Sequence, residues 1–252
     1  MATLNEIVSF ADELLQVDNY HDYCPNGLQI EGKSEVKKMV CGVTASQALI
    51  DSAIDHNADL IIVHHGFFWR GESLPIIGLK KNRIKALMDA EISLVAYHLP
   101  LDGHRELGNN AQIAQNLGVN TERWFGASKP EICLLGSLDT PTSSTQFAKL
   151  IAQKLTRQPL HLRKNDVKRI VKVGICTGGA QNYFELAIEQ GVDAFITGEV
   201  SEQSYHLAIE SGVDFYSAGH HATERFGVQA LAKVISEKFN LEYEYIEIEN
   251  PV

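Results

Sequence analysis

The sequence predicts an α/β fold of two related lobes, each a mostly parallel sheet flanked by helices. Three observations lead there. Short apolar runs alternate with segments of helical period, one strand-helix-strand pattern recurs along the chain, and the polar residues that follow the apolar runs are mainly histidines and carboxylates. The 252 residues suffice for one large domain or two small ones. A hydrophobic share of 44% and a charged share of 21% are ordinary globular usage, and no apolar run approaches the ~20 residues of a membrane-spanning helix.

Taken from the beginning, MATLNEIVSFADELLQ lacks the basic start and small-residue cleavage site of a secretory signal, and Thr3 with Glu6 reads as a helix capping box. A cytoplasmic protein is expected. PNGLQIEG at 25–32 has the punctuation of a tight turn before a short strand. From Val36, VKKMVCGVTASQALIDSAIDHNADLIIVHHG reads as strand, helix and strand; VKRIVKVGICTGGAQNYFELAIEQGVDAFITGE, from Val167, repeats that order with a longer first turn. YHLAIESGVDFYSAGH then echoes the last half of the unit. Between the repeats NTERWFGASKP loses periodicity, which predicts lobes of 1–126 and 127–252. A helix is expected from Thr223 to about Asn240, and the alternation in LEYEYIEIE predicts a strand that is antiparallel or at an edge. That last helix and strand are expected to pack back on the N-terminal lobe.

Cys24, Cys41, Cys133 and Cys176 contain no CxxC pair, which argues against a zinc-thiolate or redox motif and for reduced thiols. A net charge of −10 disfavours nucleic acid as a partner, and the basic run Lys80, Lys81, Arg83 and Lys85 reads as a solvated helix face.

Ligand sites in open α/β sheets gather beyond the carboxyl ends of the strands. At those positions the chain places His64 and His65 after LIIV, His98 and Asp102 after SLVAY, Gly198 and Glu199 after AFIT, and His220, His221 and Glu224 after FYSAG. An adjacent histidine pair alone says little, since most such pairs are surface or satisfied buried residues; convergence of several strand-end clusters says more. Imidazole with carboxylate suits zinc, iron, manganese, nickel or cobalt. His64 and His65 at a frayed strand end can reach two different ions, and a carboxylate such as Glu224, four residues after His220, can bridge them. Two divalent ions are therefore expected. His98, His221 and Glu199 read equally as partners that orient a ligand imidazole. CTGGA at 176–180 lacks both the full GxGxxG and the P-loop lysine, so it reads as a tight turn rather than a phosphate cradle.

In order, IIVHHGFFW, YHLPLD, ICTGGA, ITGEVSEQSYH and AGHHATER resemble the Nif-three-like dinuclear-metal-centre family, whose members are often labelled GTP cyclohydrolase 1 type 2 homologues. The resemblance covers nearly the whole chain. It implies a dinuclear site between two α/β lobes, ligated by His64, His65, Asp102, His220 and a bridging Glu224, with His98 and His221 as proton-transfer groups. It also implies a homohexameric ring, or toroid. The expected activity is that of a metal-dependent hydrolase acting on a small molecule such as a nucleotide, a cyclic amide or a phosphoester. A non-enzymatic assembly or interaction protein with structural metals is the alternative.

Overall fold

The computed structural model describes residues 2–127, 129–164 and 169–252, so Val167 and Lys168, which open the second repeat, lie outside the described residues. The chain forms two compact units, Met1–Leu101 with Gly227–Glu249, and Asp102–Phe226 with Asn250–Val252. It therefore passes between units at 101/102, 226/227 and 249/250; the sequence placed the lobe boundary at 126/127 and had the last helix and strand return to the N-terminal lobe.

In the first unit β1 (Ala2–Thr3) leads into α1 (Leu4–Leu15). The Thr3 hydroxyl accepts a hydrogen bond from the Glu6 amide at 3.3 Å, and the Glu6 carboxylate accepts one from the Thr3 amide at 2.9 Å. This is the capping box read from the sequence; each side chain satisfies a backbone donor that the helix start would leave unpaired. Leu4, Ile7, Ala11 and Leu15 form the buried stripe of α1. There follow β2 (Gly27–Ile30), β3 (Glu35–Val36), β4 (Lys38–Thr44), α2 (Gln47–Asp55), β5 (Leu60–His65), α3 (Gly78–Asp89) and β6 (Ser93–Ala96). β4, β5 and β6 are parallel, and β2 closes one edge antiparallel to β6. Successive strand residues point to opposite faces: Cys41, Leu60 and Ile62 join the core that contains α1, whereas Val40, Ile61 and Val63 join Leu49, Ile50, Ile84 and Leu87 of α2 and α3. Covering on both faces explains why these strands read as unbroken apolar runs.

After α4 (Leu99–Gly103) the second unit contains α5 (Asn109–Leu117), β7 (Val119–Phe125), β8 (Cys133–Ser143), α6 (Ser144–Leu155), β9 (Leu160–Leu162), β10 (Arg169–Ile175), α7 (Phe184–Glu189), β11 (Ala194–Thr197), α8 (Glu202–Ser211) and β12 (Asp214–Ser217). Its sheet runs β7-β8-β10-β11-β12-β9. Only β10, β11 and β12 are mutually parallel, and the pairings of β7 with β8, β8 with β10, and β9 with β12 are antiparallel. The expectation of a mostly parallel sheet thus holds for the first unit, and the second is mixed. Seven residues separate β7 from β8, too few for the crossover that parallel neighbours need, so these two strands pair antiparallel.

α9 (His220–Phe239) and β13 (Glu242–Tyr245) complete the chain's elements. The helix starts three residues before the expected Thr223, because the Thr223 amide already donates to the Gly219 carbonyl at 3.0 Å. Val228, Leu231, Ala232 and Ile235 enter the α1 core. β13 lies at the sheet edge, as one of the expected alternatives had it, beside β4 and parallel to it, with Glu242 opposite Lys38. Among the described residues no helix is long and apolar enough to cross a membrane.

Replacing Thr3 by Ala removes the cap hydroxyl and is expected to cost about 1 kcal/mol of stability, read as a lower urea midpoint with unchanged slope. An unchanged midpoint would contradict the role given to this cap.

Candidate metal centre

In the first unit β5 ends in His64 and His65, and parallel β6 delivers Tyr97 and His98 at the same sheet edge. The imidazole centroids of His64 lie 4.6 Å from His65 and 5.2 Å from His98, and one ligand atom from each of the three falls within 4.8 Å of the others. Each ring is held through Nδ1. His64 Nδ1 donates to the Tyr97 carbonyl at 2.8 Å, His65 Nδ1 pairs with the Thr44 hydroxyl at 3.1 Å, and His98 Nδ1 donates to Asp22 at 2.7 Å. A carbonyl or carboxylate oxygen can only accept, so His64 and His98 carry a proton on Nδ1 and direct coordination or proton uptake to Nε2.

Asp22 is the residue that the sequence reading missed. Its carboxylate also accepts from the amides of Tyr23 (2.6 Å) and Leu99 (2.8 Å) and from the Asn26 side chain (2.9 Å). Burial on its own would raise the Asp22 pKa, but the hydrogen bonds and the charge of His98 override it and bring it to about 2. The only hint in the sequence was a polar cluster, HDYCPN, before the tight turn. PNGLQIEG has a definite task as well: Gln29 receives the Phe67 amide at 2.7 Å and donates to the Phe67 carbonyl at 3.2 Å, pinning the chain after the histidine pair. Gly66 is required there, since a Cβ would sit 2.2 Å from the Gln29 oxygen.

In the second unit Asp102, His220 and Glu224 collect around the CTGGA loop. Asp102 is buried and accepts from Asn109 at 2.9 Å and from the Thr177 hydroxyl at 3.2 Å. One residue on, Gly178 has φ +68, and a Cβ there would stand 2.1 Å from Glu224 Oε1 and 3.2 Å from His220 Nε2. Thr223, between those two residues, accepts the Gly178 amide at 3.0 Å. The loop read as a plain turn therefore orders carboxylates and an imidazole, and it is not placed as a phosphate cradle.

His220 is the fourth imidazole tied through Nδ1, here donating to Glu199 at 2.7 Å, while its Nε2 lies 3.2 Å from Glu224. Glu199 is thus an orienting partner. Burial would lower the His220 pKa, yet Glu224 and Glu199 together raise it to about 9, so a cation held at Nε2 would have to displace a proton near neutral pH. His221 is buried, and its amide donates to the Val252 carbonyl at 3.1 Å. The Cys176 thiol stays protonated: its contact with Cys133, burial, and the nearby Asp102 and Glu224 charges all push its pKa well up. Both cysteines are free thiols, as are Cys24 and Cys41.

Fold and donor groups define an α/β protein that presents imidazoles and carboxylates at the carboxyl ends of its strands, a set whose chemistry suits borderline-to-hard divalent cations. The chain belongs to the Duf34/NIF3 family (NGG1p interacting factor 3), whose profile matches residues 2–251. Similar proteins named GTP cyclohydrolase 1 type 2 homolog occur in Haemophilus influenzae, 50% identical over 98% of each chain, and in Escherichia coli K12, 48% identical over the same shares. Among solved structures, protein ybgI, described as of unknown function, matches with TM-score 0.95 at 46% identity over 99% of this chain and 100% of that one. TTHA1606 from Thermus thermophilus matches with TM-score 0.89 at 32% identity, again over 99% and 100%.

Two measurements check this geometry. Since the folded pKa of Asp22 lies below its unfolded value, its contribution to stability is complete above about pH 4 and vanishes as pH falls through about 2; the stability gap between the native chain and Asp22→Asn should close over that window. Gly178→Ala forces a methyl against Glu224 at a positive φ and is expected to cost about 1–3 kcal/mol and to lower divalent-cation uptake. Unaltered thermal melting and uptake would mean that the loop is not the organiser described.

Proposed function

We propose that the chain is a metal-dependent hydrolase that holds two divalent ions with His64, His65, Asp102, His220 and a bridging Glu224. The observation that carries this reading is the treatment of the histidines. His64, His65, His98 and His220 are all held through Nδ1 by protein groups, the arrangement by which proteins orient metal-binding imidazoles. The donor set agrees, being imidazole and carboxylate with the Cys176 thiol kept protonated. Such ions, when bound, supply the Lewis acidity that makes water nucleophilic near neutral pH.

The chain's own residues supply orientation and proton transfer. His98, with Nδ1–H committed to Asp22, accepts a proton at Nε2, and the Asp22 carboxylate stabilises the resulting imidazolium. His221 is the second proton-transfer group. Thr177 and Asn109 hold Asp102 through the oxygen they share. The substrate class is a small molecule with a bond open to attack by water; the name borne by the curated relatives adds opening of a purine ring to phosphoester or cyclic-amide hydrolysis. The family resemblance supports a homohexameric ring, which light scattering measures directly.

The test is stripping with a chelator followed by return of single divalent ions, with turnover followed across nucleotides, phosphoesters and cyclic amides. Activity that falls on stripping and returns with one ion, and that drops at least a hundredfold in His98→Ala with uptake retained, is the expected result. Two ions bound tightly with no turnover across the panel, and a large fall in melting temperature on stripping, would instead make the metals structural. Absence of uptake would end the metal reading itself.

A further inference from the structure

The backbone that carries His220 is gripped on two sides. On one, the end of β11 presses so closely that a Cβ on Gly198 would lie 2.5 Å from His220 Cα. On the other lies a feature unused by the chemistry above. Gly219, at φ +98, leaves room for the Arg157 side chain, whose Nε would be 2.5 Å from a Cβ at that position. Arg157 NH1 donates to the Pro251 carbonyl, and the Val252 carbonyl accepts from the His221 amide at 3.1 Å. The Asn250 side chain accepts the Val252 amide at 2.9 Å and turns the segment onto this spot. The His221 amide belongs to the first turn of α9, where no acceptor is available within the helix.

We propose that Arg157 and the segment Asn250–Val252 form a clasp that positions His220 for its cation: Arg157 and the 250–252 carbonyls are positioning groups that press the Gly219–His221 backbone toward Gly178 and Gly198. The inference rests on the reading of His220 as a metal ligand. It deepens that reading by making occupancy of the His220–Glu224 position depend on whether the 250–252 segment is seated. Arg157 Nε, buried and without a hydrogen-bond partner among the described residues, fits this role. The guanidinium is placed by packing on Gly219 and by its grip on Pro251, at the expense of one of its own donors.

The test compares the full chain with Arg157→Ala, Arg157→Lys and a chain stopped after Glu249, each titrated with Co²⁺, whose visible spectrum reports ligand geometry. Circular dichroism and melting monitor the fold. The expected result is Co²⁺ binding by the full chain, at least tenfold weaker binding with an altered visible band in Arg157→Ala and in the shortened chain, and partial recovery in Arg157→Lys. If shortening unfolds the chain, Asn250→Ala loosens the segment without removing it and is expected to weaken binding in the same direction. Folded variants with native affinity and an unaltered band overturn the clasp while leaving the metal reading intact. A full chain that takes up no Co²⁺ overturns both.

Discussion

A side chain at position 178 would collide with the carboxylate of Glu224, and this contact governs the chemistry of the second unit. Because Gly178 has no Cβ and adopts a positive φ, the loop after β10 can lie flat against the start of α9. Thr177 is then aimed at Asp102 while Thr223 takes the Gly178 amide. Three acidic or basic groups distant in sequence are thereby ordered by a loop of five residues. The first unit solves the same problem differently: Gly66 lets the chain turn sharply after the histidine pair, and Gln29 fastens that turn.

Common to both units is the way four imidazoles are held. His64, His65, His98 and His220 are each tied through Nδ1, and the partners are graded: a carbonyl for His64, a hydroxyl for His65, and carboxylates for His98 and His220. A carboxylate partner makes a ring more basic, as the His220 pKa, raised by Glu224 and Glu199 against its burial, illustrates.

Much of this was legible before any coordinates. The capping box at Thr3 and Glu6 depends on neighbours three residues apart, and the buried strands betray themselves by unbroken apolar runs. The strand-end rule pointed to the sheet edges at which the imidazoles gather, since a parallel strand has only one carboxyl end. What was illegible is long-range or backbone-borne. Asp22 meets His98 across most of a domain's length of chain, and nothing local in HDYCPN announces that partner. The antiparallel neighbours in the second unit leave no mark on the apolar pattern, which is the same for either direction once both faces are covered. The early start of α9 turns on one hydrogen bond to Gly219, and the purpose of CTGGA lies in a side chain it lacks.

The three crossings of the chain between its units carry a consequence for how the protein can be dissected. Neither unit is a contiguous stretch, so any cut that yields two consecutive fragments leaves one without its α9 core residues or its edge strand. A gene fragment ending near residue 101 would expose the face of the first sheet that Val228, Leu231 and Ile235 cover. Isolating that unit calls for a splice joining 101 to 227, and a circular permutant opened inside the second unit would leave the first unbroken.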